Sequence, residues 1–136
     1  MQHHKELQVW HKAMELAEAV FKRTAAFPRD QLYVLTAQIQ RCALSVPSNI
    51  AEGRGRNSEN EFAYFLNVAR GSLAELQTQM ELAMRLGYLT PKEEAAFTKQ
   101  AEEVFRMLYG LRQKLKETKA PTEKPKAVSS KLSAVG

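Results

Sequence analysis

The sequence predicts an all-α fold, an antiparallel up-down four-helix bundle. Three observations predict it. Four stretches repeat apolar residues at spacings of three and four, which makes one stripe per helix. The breaks between them are short, which favours antiparallel neighbours. The six glycines and five prolines are clustered, so long segments run without a breaker. A chain of 136 residues suits one domain with one modest core. The bundle is assigned to residues 1–117 and a tail to residues 118–136.

The first helix is expected from about Lys5 to Ala26, with Leu7, Trp10, Met14, Ala17 and Phe21 as its buried stripe. Phe27-Pro28-Arg29-Asp30 breaks it, and the Asp30 carboxylate is placed to cap the next helix. The second stripe is Leu32, Leu35, Ile39, Cys42, Val46 and Asn49. Pro47 inside it removes a backbone donor and crowds the carbonyl of Ala43. A kink is expected rather than an end, because Ile50 and Ala51 continue an apolar side. Gly53 and Gly55 then stop the helix, as glycine accepts the left-handed conformation of a C-cap.

The third helix starts with Ser58-Glu59-Asn60-Glu61, the spacing of a capping box, and runs to about Leu86 before Gly87. Its main stripe is Phe62, Leu66, Ala69, Leu73, Leu76, Met80 and Ala83. The fourth opens with Thr90-Pro91-Lys92-Glu93: a cap, a proline at the first helical position and a second capping box. Phe97, Ala101, Val104, Leu108, Leu111 and Leu115 form its stripe. From Thr118 the stripe ends. The remaining Lys-, Pro- and Ser-rich residues bury too little to offset their ordering entropy, so disorder is expected.

Net charge is +5, a balance that favours nucleic acid or another polyanion as partner. Cys42 is the single cysteine, which excludes an intramolecular disulfide. No apolar run approaches the ~18 residues of a membrane span. MQHHKELQVW lacks the apolar stretch of a signal peptide, so the cytoplasm is the expected location.

Polar residues interrupt two apolar faces. Beside the main stripe of the third helix runs a column of Phe65, Val68, Ser72, Glu75, Gln79, Leu82 and Leu86, apolar at its ends and polar in its middle. On the second helix Asn49 falls on the stripe, next to Arg41, Ser45, Ser48 and Glu52. If these faces meet, a polar layer crosses the bundle or an interface between copies. A buried carboxylate must be paired or protonated, and Arg41 and Arg70 are the cations at hand for Glu52 and Glu75. Such a network fixes register or subunit pairing. The enzymatic alternative makes Glu52 and Glu75 a general acid–base pair, with no histidine or cysteine expected nearby to activate a serine. A di-metal site needs Glu-x-x-His pairs, and His3, His4 and His11 follow no glutamate at that spacing. Neither metal nor cofactor is expected, and His3 and His4 are assigned to a frayed end.

Gly53-Arg54-Gly55-Arg56 lacks the GxxxxGK[ST] pattern and follows a helix rather than a strand, so it is no nucleotide loop. As a contact for a phosphate backbone it is better suited. Arg54 and Arg56 adjoin the start of the third helix, whose free N–H groups attract anions, and Asn57, Asn60 and Tyr64 are close in sequence. The plain alternative is a solvated turn. Lys92, Lys99 and Arg106 recur every seven residues on the fourth helix, but Glu102 and Glu103 interrupt a continuous basic face.

Two segments, Pro47-Ser48-Asn49-Ile50-Ala51-Glu52-Gly53 and Gly71-Ser72-Leu73-Ala74-Glu75-Leu76, resemble the four-helix-bundle proteins encoded in 23S rRNA intervening sequences. The resemblance spans about Leu7 to Lys116. It implies a bundle that assembles as a ring-shaped homopentamer. It also implies kinship with the accessory variability determinant proteins of diversity-generating retroelements, which are basic and act with a reverse transcriptase and nucleic acid. It supplies no catalytic residue. The expected function is therefore a non-enzymatic homo-oligomer that binds RNA or DNA, or a nucleic-acid enzyme such as a reverse transcriptase, through basic surfaces. The alternatives are a scaffold that binds only protein partners, or an enzyme using Glu52 and Glu75.

Overall fold

The computed structural model describes residues 3–118. Among them are four α-helices and no strand: α1 (Gln8–Thr24), α2 (Ala37–Arg54), α3 (Glu59–Arg85) and α4 (Pro91–Thr118). A short 3-10 turn at His3–Glu6 precedes α1; a second at Arg29–Gln31 and a π-helical turn at Leu32–Thr36 lead into α2. The tail expected over 118–136 lies, beyond Thr118 itself, outside the described residues.

One core runs the length of the bundle, fed by all four helices. Leu16, Val20, Ile39, Val46, Ile50, Leu66, Leu73, Leu76, Val104 and Leu108 are essentially sealed from solvent. The expected stripe of α3 is buried at every position, and that of α4 is buried or packed against the core. Pro47 sits inside α2, which continues past it for another two turns.

The contacts define two ends. The Arg23 guanidinium meets Glu93, and the Phe27 and Tyr88 rings lie 5.6 Å apart, so residues 23–31 share an end with residues 86–93. At the other end Arg54 approaches Glu6, and Leu7, Gln8 and Val9 line a shallow groove with Met107, Gly110, Leu111 and Lys114. Along the α2–α3 seam Gly53 lies against Phe62 and Phe65, and Ser45 meets Ser72.

The caps follow the expected chemistry at both long helices. The Ser58 hydroxyl accepts the Glu61 N–H at 3.1 Å. Thr90 and Glu93 cap reciprocally: Glu93 N–H donates to Thr90 Oγ1 at 3.1 Å and Thr90 N–H to Glu93 Oε1 at 2.9 Å. Gly87, at φ 85°, ends α3 in a Schellman turn, with Tyr88 N–H on the Ala83 carbonyl and Gly87 N–H on that of Met84.

Five local expectations are corrected. In α1 the buried stripe is Val9, Ala13, Leu16, Ala17, Val20 and Thr24, while Met14 and Phe21 remain 42% and 38% exposed. Both sets have helical spacing, and the larger side chains marked the wrong one. Asp30 caps nothing, because it falls inside the 3-10 turn and the π-helical turn follows directly. Gly53 does not end α2. It is helical, and a Cβ there would stand 2.7 Å from Phe65 Cβ, so glycine is required for the close approach of α2 to α3. Gly55 forms the C-cap in the right-handed region, not the left-handed one. His4 is also no frayed end: its ring packs edge-on against Trp10, with centroids 4.8 Å apart.

Candidate functional site

Three groups of polar residues stand out from the apolar core, each placed by a helix face. The first is the seam between α2 and α3. Ser45 and Ser72 share a hydrogen bond of 2.8 Å, and the Asn49 amide donates to the Ser45 carbonyl at 2.8 Å and to Ser45 Oγ at 2.9 Å. Ser72 is buried, and Ser45 and Asn49 are half-buried. This is a compact interhelical tie with helical i, i+4 spacing on α2 and one cross-helix bond.

Within one chain the larger polar layer does not form. Arg41, Ser48, Glu52 and Arg70 are exposed there, which removes them from any network buried inside a single bundle. Glu52 pairs with Arg56 at 2.8 Å rather than with Arg41. Glu75 and Gln79 are half-buried near Cys42, and Gln79 Oε1 is enclosed without a partner. Burial pushes the Cys42 thiol up, and the Glu75 charge adds to the effect, so the nucleophilic thiolate is disfavoured. Cys42 lies ten positions before Glu52 on α2, roughly 15 Å along the axis at ~1.5 Å per residue. Glu75 is thus far from Glu52, and the two carboxylates do not form an acid–base pair.

The second group is the α2–α3 junction. Arg54 is half-buried, lies 6.0 Å from the Phe62 ring centroid and reaches Glu6 at 4.0 Å, and its Nε is enclosed without a partner. Arg56 is exposed, stacks 5.0 Å from the Phe65 centroid and pairs with Glu52. Asn57 is exposed and Asn60 half-buried, with its Oδ1 enclosed and unpartnered. Tyr64 is half-buried with its ring edge-on to Phe65 at 5.0 Å. The junction therefore presents two guanidiniums over aromatic rings, each with a carboxylate in attendance. Exposed pairs of this kind contribute ~0–1 kcal/mol and exchange readily for another anion.

The third group was not read from the sequence. At the opposite end Arg23 donates to Glu93 through Nε at 2.8 Å and Nη2 at 2.9 Å, and through Nη2 to the Tyr88 carbonyl at 3.0 Å. The arginine, with help from the Thr90 N–H, holds the Glu93 carboxyl down at about 2. Nearby Gln40 donates to the buried Thr24 hydroxyl at 2.9 Å, joining α2 to α1. The signal for the clasp was an arginine in the last turn of one helix and a capping-box glutamate in another. Such long-range partners share no spacing rule. Also missed was Arg112 on α4, half-buried, with Nε enclosed and unpartnered.

A family described as 23S rRNA-intervening sequence protein matches residues 5–110. The chain belongs to that family. Among solved structures it is similar to a protein from Bacteroides thetaiotaomicron described as of unknown function and of the S23 ribosomal protein family, at TM-score 0.72 and 24% identity. The match covers 77% of this chain and 95% of the other, and at that identity it speaks for the fold. No curated protein matches the chain. No described helix is long and apolar enough to cross a membrane, and no group of three metal-ligating side chains occurs among the described residues.

Proposed function

We propose that the protein is a non-enzymatic, self-associating, antiparallel up-down bundle whose copies close into a ring and offer basic surfaces to nucleic acid. The observation that carries the reading is an apolar groove of about 500 Å³ on the outside of α1 and α2, lined by Trp10, Met14, Ala17, Phe21 and Leu44 and edged by Glu15 and Glu18. A single bundle leaves this surface in water. The occupant is a second copy. A second set of large apolar side chains, Leu32, Tyr33, Val34, Leu82 and Leu86, is also exposed. Two different exposed apolar surfaces on one chain suit head-to-tail closure into a ring. A ring of five is the expectation from family resemblance. At +5 per chain it would carry about +25 before screening, enough to steer a polyanion.

Sedimentation of the full chain tests the assembly. The wild type is expected to sediment as a multiple of the chain mass. Leu44→Glu and Met14→Glu, both on exposed positions, are expected to give single chains of unchanged helicity. A wild type that sediments as one chain at micromolar concentration contradicts the reading. Nucleic-acid binding is expected to weaken steeply between about 50 and 200 mM salt.

A further inference from the structure

Among the described residues, Arg70 on α3 and Arg112 on α4 have no counter-ion. Gln77 of α3 and Thr98 of α4 line the same small cavity, so their faces meet. One heptad returns nearly to the same helix face, offset by ~20°. Arg70 therefore repeats the face of Gln77 at the level of Phe105, and Arg112 repeats the face of Thr98 one heptad further along, roughly 10 Å away on the axis and within the span of two long side chains. Neither arginine forms an ion pair among the described residues, unlike Arg23, Arg54, Arg56 and Arg85. The positions three and four away hold no carboxylate: Leu66, Asn67, Leu73 and Ala74 around Arg70, and Leu108, Tyr109, Leu115 and Lys116 around Arg112.

Arg112 is half-buried, and its Nε is shut off from solvent with no acceptor. Burial first, and the Arg70 charge second, push its guanidinium below the ordinary value. An enclosed donor on a guanidinium that also feels a second positive charge is a costly arrangement unless an anion completes it. One turn before Arg112 on α4, Tyr109 is 59% exposed, an aromatic ring that buries little of itself in the core. Lys116 extends the positive charge one turn further.

We infer that Arg70 and Arg112 hold a backbone phosphate of single-stranded nucleic acid between α3 and α4, with a neighbouring unstacked base on Tyr109. The guanidinium forks suit bidentate contact with phosphate oxygens, and a phenol ring accepts any base face. This inference rests on the nucleic-acid reading above and locates its contact away from Arg54 and Arg56, which already have Glu6 and Glu52.

The test is fluorescence anisotropy of a short labelled single-stranded RNA with the full chain across a salt series. Arg70→Gln with Arg112→Gln is expected to weaken binding at least tenfold and to lower the salt slope by about 0.7, the value for one phosphate contact on a single strand. Tyr109→Ala is expected to weaken binding about tenfold, with Tyr109→Phe close to wild type. Lys92→Gln with Lys99→Gln removes the same charge from exposed positions elsewhere on α4 and is expected to cost far less. Circular dichroism confirms that each variant is folded. If RNA binds and the arginine double variant binds equally well, or loses no more than the lysine control, the site is overturned while the nucleic-acid reading stands. If neither RNA nor single-stranded DNA binds even the wild type at low salt, both fall.

Discussion

Arg23 and Arg112 occupy opposite ends of the same bundle and differ in what surrounds them. Arg23 donates twice to Glu93 and once to the Tyr88 carbonyl, in a clasp that joins α1, the 86–90 turn and α4. Arg112 has an enclosed Nε without a partner, and burial and the charge of another arginine, Arg70, push its guanidinium below the ordinary value. A cation matched by a carboxylate holds a fold together. A cation left unmatched at a helix–helix seam adds nothing to the fold and is free for a ligand. Arg54 and Arg56 stand between these extremes, over aromatic rings and beside loosely held carboxylates.

The largest expected effect on stability breaks the seam that sets the geometry of the unmatched end. Gly53→Val forces side-chain carbon into the space held by Phe65 Cβ and Phe62, at 2.7 and 3.0 Å from a Cβ. A loss of ~1–3 kcal/mol is expected from overpacking, read as a lower urea midpoint at unchanged slope. At the matched end, Thr90→Ala removes the cap of α4 and is expected to cost ~1 kcal/mol by the same measurement.

Glu93 links that end to pH. Its folded value of about 2 lies below the ordinary 4.5, so the folded state favours the carboxylate. The sign follows: its stabilisation is complete above about 4.5 and is lost as pH falls toward 2. The melting temperature of Glu93→Gln is expected to lie below wild type at neutral pH, and the gap to shrink between those two values. A gap that is constant with pH would remove the clasp from the account. The smallest effect is at the other end. Arg112→Met is expected to leave stability within about 0.5 kcal/mol of wild type or to raise it, because it removes an enclosed charge with no partner.

Much of this fold was legible in residue spacing. Both long caps, the full stripes of α3 and α4, the passage of α2 through Pro47 and the stop at Gly87 follow from local rules about donors, acceptors and φ. The α1 stripe was misread because two apolar columns run along that helix. Trp10, Met14 and Phe21 are larger than Ala13 and Ala17, and size does not decide which column faces the core. The small residues do, since they let α1 approach its neighbours. The site was less legible. Asn49 and Ser72 were recognised as polar residues on packing faces, and they meet through Ser45. Glu52 and Glu75 fell in matching columns, but column membership says nothing of height along the axis, and they face different partners. Arg23–Glu93 and Arg70–Arg112 join different helices, where no spacing rule reaches.

The contrast between matched and unmatched arginines is tested most directly by one titration: the guanidinium Nε–H signals of the folded full chain, followed by nitrogen-edited NMR as single-stranded RNA is added. The account predicts that the Arg112 signal shifts and saturates with RNA, while the Arg23 signal, held by Glu93, stays where it is. An Arg112 signal that does not move while RNA binds, or a movement of Arg23 as large as that of Arg112, would contradict it.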